Sequence, residues 1–103
     1  MQNKVKEFNA NSGRHTAPMN VYARLLDVNS ELGELAKEYL NGSNYGDSKF
    51  EMSEDFKMEF GDVMYSLLSL ACETNINAEE CLDKVIKKYQ DRINKKKSMG
   101  SGN

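Results

Sequence analysis

Two pairs of acidic residues share one spacing: Glu31 with Glu34 and Glu59 with Asp62, each with a glycine immediately before the second acid. Residues three apart lie on the same face of a helix, so each pair would present both carboxylates to one side. Four carboxylates at one spot repel one another unless a cation lies among them. Because Mg²⁺ and Mn²⁺ prefer such oxygen ligands, the pattern predicts a divalent-metal site that acts on phosphate groups.

Their position in mid-helix distinguishes these pairs from the other acidic pairs of the chain. Two more pairs have the same spacing, but both fall in the first turn of a predicted helix, where negative charge complements the helix dipole. Gly33 and Gly61 each cost about 1 kcal/mol relative to alanine in a helix interior, and close approach of a backbone or a ligand would account for both. The alternative interpretation is a pair of solvated acidic faces that form salt bridges with lysines.

Hydrophobic periodicity predicts the helices that carry these acids. Residues 18–40, 48–74 and 77–97 show apolar side chains at helical spacing, and no segment shows the sustained alternation typical of a strand. A short amphipathic piece near the N-terminus predicts one or two further turns. We therefore predict an all-α chain with a short N-terminal helix and three main helices, in a single domain over residues 1–97. A flexible tail is predicted at residues 98–103.

Capping residues predict where the main helices begin. Pro18 suits a first helical turn, because its missing N–H would have no partner there in any case. Ser48 has the spacing of a capping box with Glu51, and Asn77 has the same spacing with Glu80.

Antiparallel packing of the first two main helices would set Glu31 and Glu34 opposite Glu59 and Asp62. A di-iron carboxylate bundle would need Glu-x-x-His motifs, and the single histidine, His15, lies outside these helices. The apolar stripes are wider than one short chain can cover. We therefore predict a homodimer whose long helices form a four-helix bundle.

Composition excludes several classes of protein. The net charge of -2 argues against a binder of nucleic-acid polymers or of membrane surfaces. Cys72 and Cys81 show no zinc-ligand spacing and do not form a disulfide scaffold, which favours reduced thiols in a cytoplasmic protein. The N-terminal charges are not followed by an apolar segment, so no signal peptide is predicted. No apolar run is long enough to span a bilayer.

The acidic segments resemble those of the MazG-like all-α nucleotide pyrophosphohydrolases. That family carries a Glu-Glu-x-x-Glu motif, then a spacer, then Glu-x-x-Asp. Here Glu31-x-x-Glu34 precedes Glu59-x-x-Asp62 with 24 residues between them, and the resemblance extends over about residues 18–93. Ser30 stands where the motif has its first glutamate, so no metal role is expected at position 30.

The resemblance implies Mg²⁺-dependent cleavage of a nucleoside triphosphate between its α and β phosphates, giving the monophosphate and pyrophosphate. Glu31, Glu34, Glu59 and Asp62 would hold the metal, with Mn²⁺ as a possible substitute. Glu31 or Glu34 would also steer the attacking water as a base, and the sequence does not choose between them. The family also implies a homodimer or tetramer with the site near subunit contacts.

A basic ridge on the last helix is formed by Lys84, Lys88 and Arg92, which follow one another at four-residue spacing. The resemblance matches Lys88 and Arg92 to family residues that lie near the substrate phosphates. The alternative interpretation is a solvated basic face that complements the helix dipole.

Aromatic residues that could stack on a base are Phe8, His15, Tyr22 and Tyr65, although core packing or simple exposure explains each of them as well. Three functions fit the residues taken together. The first is a house-cleaning or pool-controlling nucleoside triphosphate pyrophosphohydrolase. The second is a phosphoribosyl-ATP-type pyrophosphohydrolase, and the third is a non-catalytic metal-binding helical interaction module. The sequence leaves open the base, the sugar, and whether the substrate is a damaged or a normal nucleotide.

Overall fold

The computed structural model describes residues 1–13 and 20–101, and all regular secondary structure there is helical. The helices are α1 (Gln2–Asn11), α2 (Asn20–Gly42), α3 (Glu54–Glu73) and α4 (Ala78–Ser101). The prediction of an all-α chain with one short and three long helices is confirmed. The predicted helix start at Pro18 and the candidate His15 lie outside the described residues. Over the described ranges, no helix combines the length and the apolar character that crossing a bilayer requires.

The start of α3 differs from the predicted one. Ser53, not Ser48, is the N-cap, and its side chain accepts a hydrogen bond from the backbone N–H of Phe56 at 3.0 Å. Ser48 instead donates its hydroxyl to the backbone oxygen of Ser43 at 3.0 Å. The capping-box prediction at Ser48 is wrong because this segment folds back onto the end of α2.

The start of α4 agrees with the sequence, since the side chain of Asn77 accepts a hydrogen bond from the backbone N–H of Glu80 at 3.1 Å. The helix continues to Ser101, so it extends beyond residue 97, the last residue before the predicted tail. The lysines before that point favour helix, and no proline interrupts them. The flexibility of residues 98–103 stays a prediction.

The α2–α3 connection is tightly packed and fixes how the two helices face each other. Phe50 stacks on Tyr39 at 5.2 Å between ring centroids and meets Phe56 edge-on at 4.9 Å. Ser43 is fully buried, donates to the backbone oxygen of Tyr39 and accepts from the N–H of Gly46. The packing of this loop therefore holds α2 and α3 in a fixed register.

Gly42→Ala is expected to disrupt the packing of this loop and to destabilise the chain. A Cβ at position 42 would lie 2.8 Å from both the backbone oxygen of Glu51 and Cε1 of Phe50. Overpacking of this kind costs about 1–3 kcal/mol of unfolding free energy, measurable by urea titration at fixed protein concentration. The matched control is Gly33→Ala, which should leave stability unchanged or raise it by up to about 1 kcal/mol. Equal stability of Gly42→Ala and wild type would contradict the close packing.

Gly33 and Gly61 do not serve a close approach within one chain. Among the described residues, nothing comes within 4 Å of a Cβ built at either position beyond the helix itself. The expectation of a close backbone approach is therefore wrong for the single chain, because both glycines are exposed. Approach by a ligand or by a second copy stays a prediction.

One copy of the chain does not close a hydrophobic core. Ala71, at 7% exposure, is the single buried apolar residue in the described part of the chain, and many large apolar side chains of α2, α3 and α4 are exposed. The main interhelical packing is α2 with α3 and α1 with α3, whereas α4 packs little against the others. The Cα radius of gyration is 18.3 Å, compared with about 13 Å for a compact domain of this size. Dimerisation itself stays a prediction.

Candidate metal centre

Three carboxylates meet in the groove between α2 and α3. Arg24 at the start of α2 contacts Glu73 at the end of α3, while Glu31 further along α2 lies by Glu59 and Asp62, so the two helices run antiparallel. Glu31, Glu59 and Asp62 each offer one oxygen, and these oxygens lie within 4.8 Å of one another. We call these three residues the carboxylate cluster. Glu31 and Glu59 are half-buried, and Asp62 is exposed.

The structure thus brings together three of the four acids expected to hold metal. Glu34 is exposed and lies outside the carboxylate cluster. The negative charge of Glu34 nevertheless acts on the cluster, because it contributes, together with that of Glu38, to raising the pKa of Glu59. A direct metal-binding or water-steering role for Glu34 stays a prediction.

Electrostatic repulsion is evident at Glu59. Partial desolvation, followed by the negative charges of Asp62 and Glu31, raises the pKa of this carboxyl above its ordinary value of 4.5. No lysine or arginine within residues 1–13 and 20–98 forms an ion pair with the cluster. The alternative of acidic faces paired with lysines therefore does not describe these residues.

The donor set of the cluster suits a divalent cation. Two ligands of one Mg²⁺ lie at most about 4.2 Å apart, since each bond is about 2.1 Å long. Oxygens already within 4.8 Å of one another need only small side-chain rotations to reach that geometry. All three donors are carboxylates, which favour Mg²⁺ or Mn²⁺ over metals that prefer sulfur or imidazole.

A cleft of about 430 Å³ opens beside the cluster, between α1, α2 and α3. Glu31 and Asp62 line it at one side, Phe8 and Tyr65 form an aromatic wall, and Arg24 contributes a polar side chain. This volume lies within the range of small-molecule sites in proteins. The cleft therefore joins a candidate metal centre to a surface that could hold an organic ligand.

Arg24 is a residue of this cleft that the sequence reasoning missed. Its side chain is only 10% exposed, and it lies 3.8 Å from Glu73 and 4.0 Å from Asp27. The sequence signal was its position one turn before Asp27, on the helix face that continues to Glu31. Arg24 links the start of α2 to the end of α3 through its ion pair with Glu73. Because Asp27 and Glu73 already neutralise its charge, Arg24 does not compensate the negative charge of the cluster.

The four aromatic candidates have different outcomes. Phe8 and Tyr65 both line the cleft, with ring centroids 5.9 Å apart and planes at 80°. Tyr22 is exposed and does not line the cleft, and His15 lies outside the described residues.

The basic ridge forms a separate surface in the single chain. Lys84, Lys88 and Arg92 line a shallow groove built from α4 alone, and Lys88 and Arg92 lie 5.3 and 6.0 Å from the ring centre of Tyr89. No described residue of α4 lines the cleft beside the cluster. Contact of the ridge with a bound phosphate stays a prediction.

Comparison with known proteins identifies relatives with one shared name. No protein-family model matches the chain. The chain is 38% identical over 79 residues to the uncharacterised protein YpjD of Bacillus subtilis, covering 74% of this chain and 67% of YpjD. It is also similar to the crystal structure of the "putative pyrophosphatase YPJD" from Bacillus subtilis, with a TM-score of 0.66 and 30% identity. That match covers 85% of this chain and 86% of the other.

Proposed function

We propose that this chain, which belongs to the family of Bacillus subtilis YpjD, is a metal-dependent pyrophosphohydrolase that converts nucleoside triphosphates to monophosphates and pyrophosphate. The observation that carries the proposal is the carboxylate cluster of Glu31, Glu59 and Asp62, which has no cationic partner in the described part of the chain. The description of the structural relative as a pyrophosphatase supports the reaction class. The resemblance of the acidic motifs to MazG-like enzymes supports nucleoside triphosphates as substrates.

In this proposal, the carboxylate cluster holds Mg²⁺, with Mn²⁺ as a substitute. The bound ion supplies charge neutralisation at the phosphate oxygens and a lowered pKa for water. Glu31 or Glu34 orients the water and accepts its proton. The water oxygen bonds to the α phosphorus, the bond from that phosphorus to the bridging oxygen breaks, and pyrophosphate leaves.

A second copy is proposed to complete both the core and the site. The apolar face of α4, formed by Leu82, Ile86, Tyr89 and Ile93, is about half-exposed in one chain. We propose a homodimer, or a tetramer built from it, that buries this face and brings Lys84, Lys88 and Arg92 of one copy toward phosphates held by another.

Ile86→Glu is expected to weaken this assembly at least tenfold. A charge placed in the centre of a buried apolar interface is strongly disfavoured unless it finds a partner. Sedimentation velocity over a range of protein concentrations measures the dissociation constant. Lys96→Gln, a charge change of the same size and sign on the exposed end of α4, is the control and should leave the assembly unchanged. A wild-type chain that remains monomeric at high concentration would contradict the proposal.

The experiment that tests the activity is product identification by ³¹P NMR. Ribo- and deoxyribonucleoside triphosphates and phosphoribosyl-ATP are each incubated with the chain in Mg²⁺ or in EDTA. We expect Mg²⁺-dependent pyrophosphate and nucleoside monophosphate, with no diphosphate. Turnover of phosphoribosyl-ATP alone would transfer the proposal to that substrate, and no turnover of any compound would favour a non-catalytic metal-binding module.

A further inference from the structure

The aromatic wall of the cleft depends on α1, a helix whose sequence is mostly polar. Phe8 is 52% exposed and meets Tyr65 of α3 edge-on. Both rings line the same cleft as Glu31 and Asp62. One side of this single cleft is therefore acidic and suited to a metal–phosphate complex, while another side is aromatic.

A buried polar network holds this wall in place. Asn9 is only 6% exposed, although it lies on a polar helix. Its amide nitrogen donates to the hydroxyl of Ser69 at 3.1 Å, and its amide oxygen accepts from the hydroxyl of Tyr65 at 2.5 Å. Ser69 is fully buried, so the network has little competition from water. Asn9 thus fixes both the position of α1 and the direction of the Tyr65 ring.

The start of α1 is fixed independently. The side chain of Gln2 donates to the backbone oxygen of Ile76 at 2.6 Å and accepts from the backbone N–H of Ala78 at 2.8 Å. Together, Gln2 and Asn9 attach both ends of α1 to the rest of the chain through directional hydrogen bonds. These bonds specify where Phe8 lies more narrowly than apolar contact alone would.

We infer that this cleft binds the nucleoside half of the substrate, with the base against Phe8 and Tyr65 and the triphosphate toward the carboxylate cluster. The inference rests on the proposed function and deepens it. Aromatic side chains bind bases of any sequence through their ring faces, and Arg24, balanced by Glu73 and Asp27, adds no net positive charge at this end. Phe8 and Tyr65 are then substrate-binding residues, and Asn9 is a positioning residue.

The test compares ligands with and without a base. α,β-Imido analogues of dUTP, dCTP, dATP and dGTP, and inorganic tripolyphosphate, are titrated calorimetrically into the full chain with Mg²⁺. Phe8→Ala should weaken the best-binding analogue about tenfold or more, with tripolyphosphate binding changed by less than about twofold. Phe8→Tyr should retain binding, and Lys6→Ala, an exposed change on the same helix, is the control.

The positioning role of Asn9 has its own readout. Asn9→Ala should raise KM for the preferred nucleotide about tenfold while kcat changes by less than about threefold, because the acidic side of the cleft is untouched. Tyr65→Phe keeps the ring and removes the hydroxyl, so it should also raise KM, but by less than Asn9→Ala does. A parallel fall in kcat and in tripolyphosphate binding would show a general folding defect and overturn the positioning role.

Failure of this inference is distinguishable from failure of the proposed function. If the wild-type chain releases pyrophosphate but Phe8→Ala keeps the wild-type KM and analogue affinity, the nucleoside site is wrong and the function stands. If no nucleotide is hydrolysed but analogue binding still depends on Phe8, the function is wrong and the site stands. Binding of tripolyphosphate without binding of any analogue would overturn the nucleoside site.

Discussion

Glu59→Gln is expected to lower pyrophosphate release about a hundredfold or more and, at the same time, to stabilise the metal-free chain at neutral pH. Activity falls because the cluster loses one of its three donors, and metal-ion catalysis supplies several kcal/mol of transition-state stabilisation. Stability rises because the substitution removes a charge that Asp62, Glu31, Glu34 and Glu38 repel. Steady-state release assays and urea unfolding in EDTA measure the two effects.

Glu54→Gln is the matched control for this variant. Glu54 is also an acid of α3, but it is exposed and pairs with Lys57 at the surface, where ion pairs contribute little. It should keep both the activity and the stability of the wild type. A Glu59→Gln chain that loses activity together with metal-free stability would mean that Glu59 supports the fold and that the cluster is not under electrostatic strain.

Divalent metal is expected to reverse the pH dependence of stability. In the metal-free chain the pKa of Glu59 is raised above its unfolded value, so the folded state binds the extra proton. This stabilising contribution is fully present below the unfolded pKa and is lost as pH rises through the folded pKa. Acidification from neutral pH should therefore stabilise the metal-free wild type relative to Glu59→Gln.

With Mg²⁺ or Mn²⁺ present, protons and metal compete for the same oxygens. Metal at a hundred times its dissociation constant stabilises by about 2.7 kcal/mol at neutral pH, and acidification should remove that gain as Glu59 protonates. Thermal unfolding at several pH values, with metal or EDTA and at constant protein concentration, measures the effect. A metal-induced stabilisation that is independent of pH would place the ion on other groups.

The features of the fold that follow from local sequence were predictable. Helical periodicity indicated the all-α architecture, and the Asn77 cap follows from local geometry. The start of α3 was not predictable, because two serines could each cap it. Ser48 has capping-box spacing with Glu51, and Ser53 is followed directly by acidic residues that suit a first helical turn. The choice between them is made by the loop, where Phe50 packs between Tyr39 and Phe56. Such contacts depend on the tertiary fold and have no local signature.

In the candidate site, too, the features set by local spacing were predictable and those set by tertiary contacts were not. Of the four acids predicted to meet from their spacing on two helix faces, Glu31, Glu59 and Asp62 lie together because α2 and α3 pack antiparallel, whereas Glu34 lies outside the cluster. Asn9 was missed because its partners lie about 60 residues away in sequence, and nothing near it marks it as buried. Arg24 had a local signal in its spacing to Asp27, but its other partner, Glu73, lies at the far end of α3 and could not be read from spacing along the chain.

The metal centre is tested most directly by the binding of Mn²⁺, followed by electron paramagnetic resonance, to the wild type and to a Glu31→Gln/Glu59→Gln/Asp62→Asn variant. We expect saturable binding by the wild type and by Glu54→Gln, and a loss of affinity of at least tenfold in the triple variant, which should stay folded because its changes remove repulsion. Wild-type affinity in the triple variant would contradict a metal centre at the carboxylate cluster.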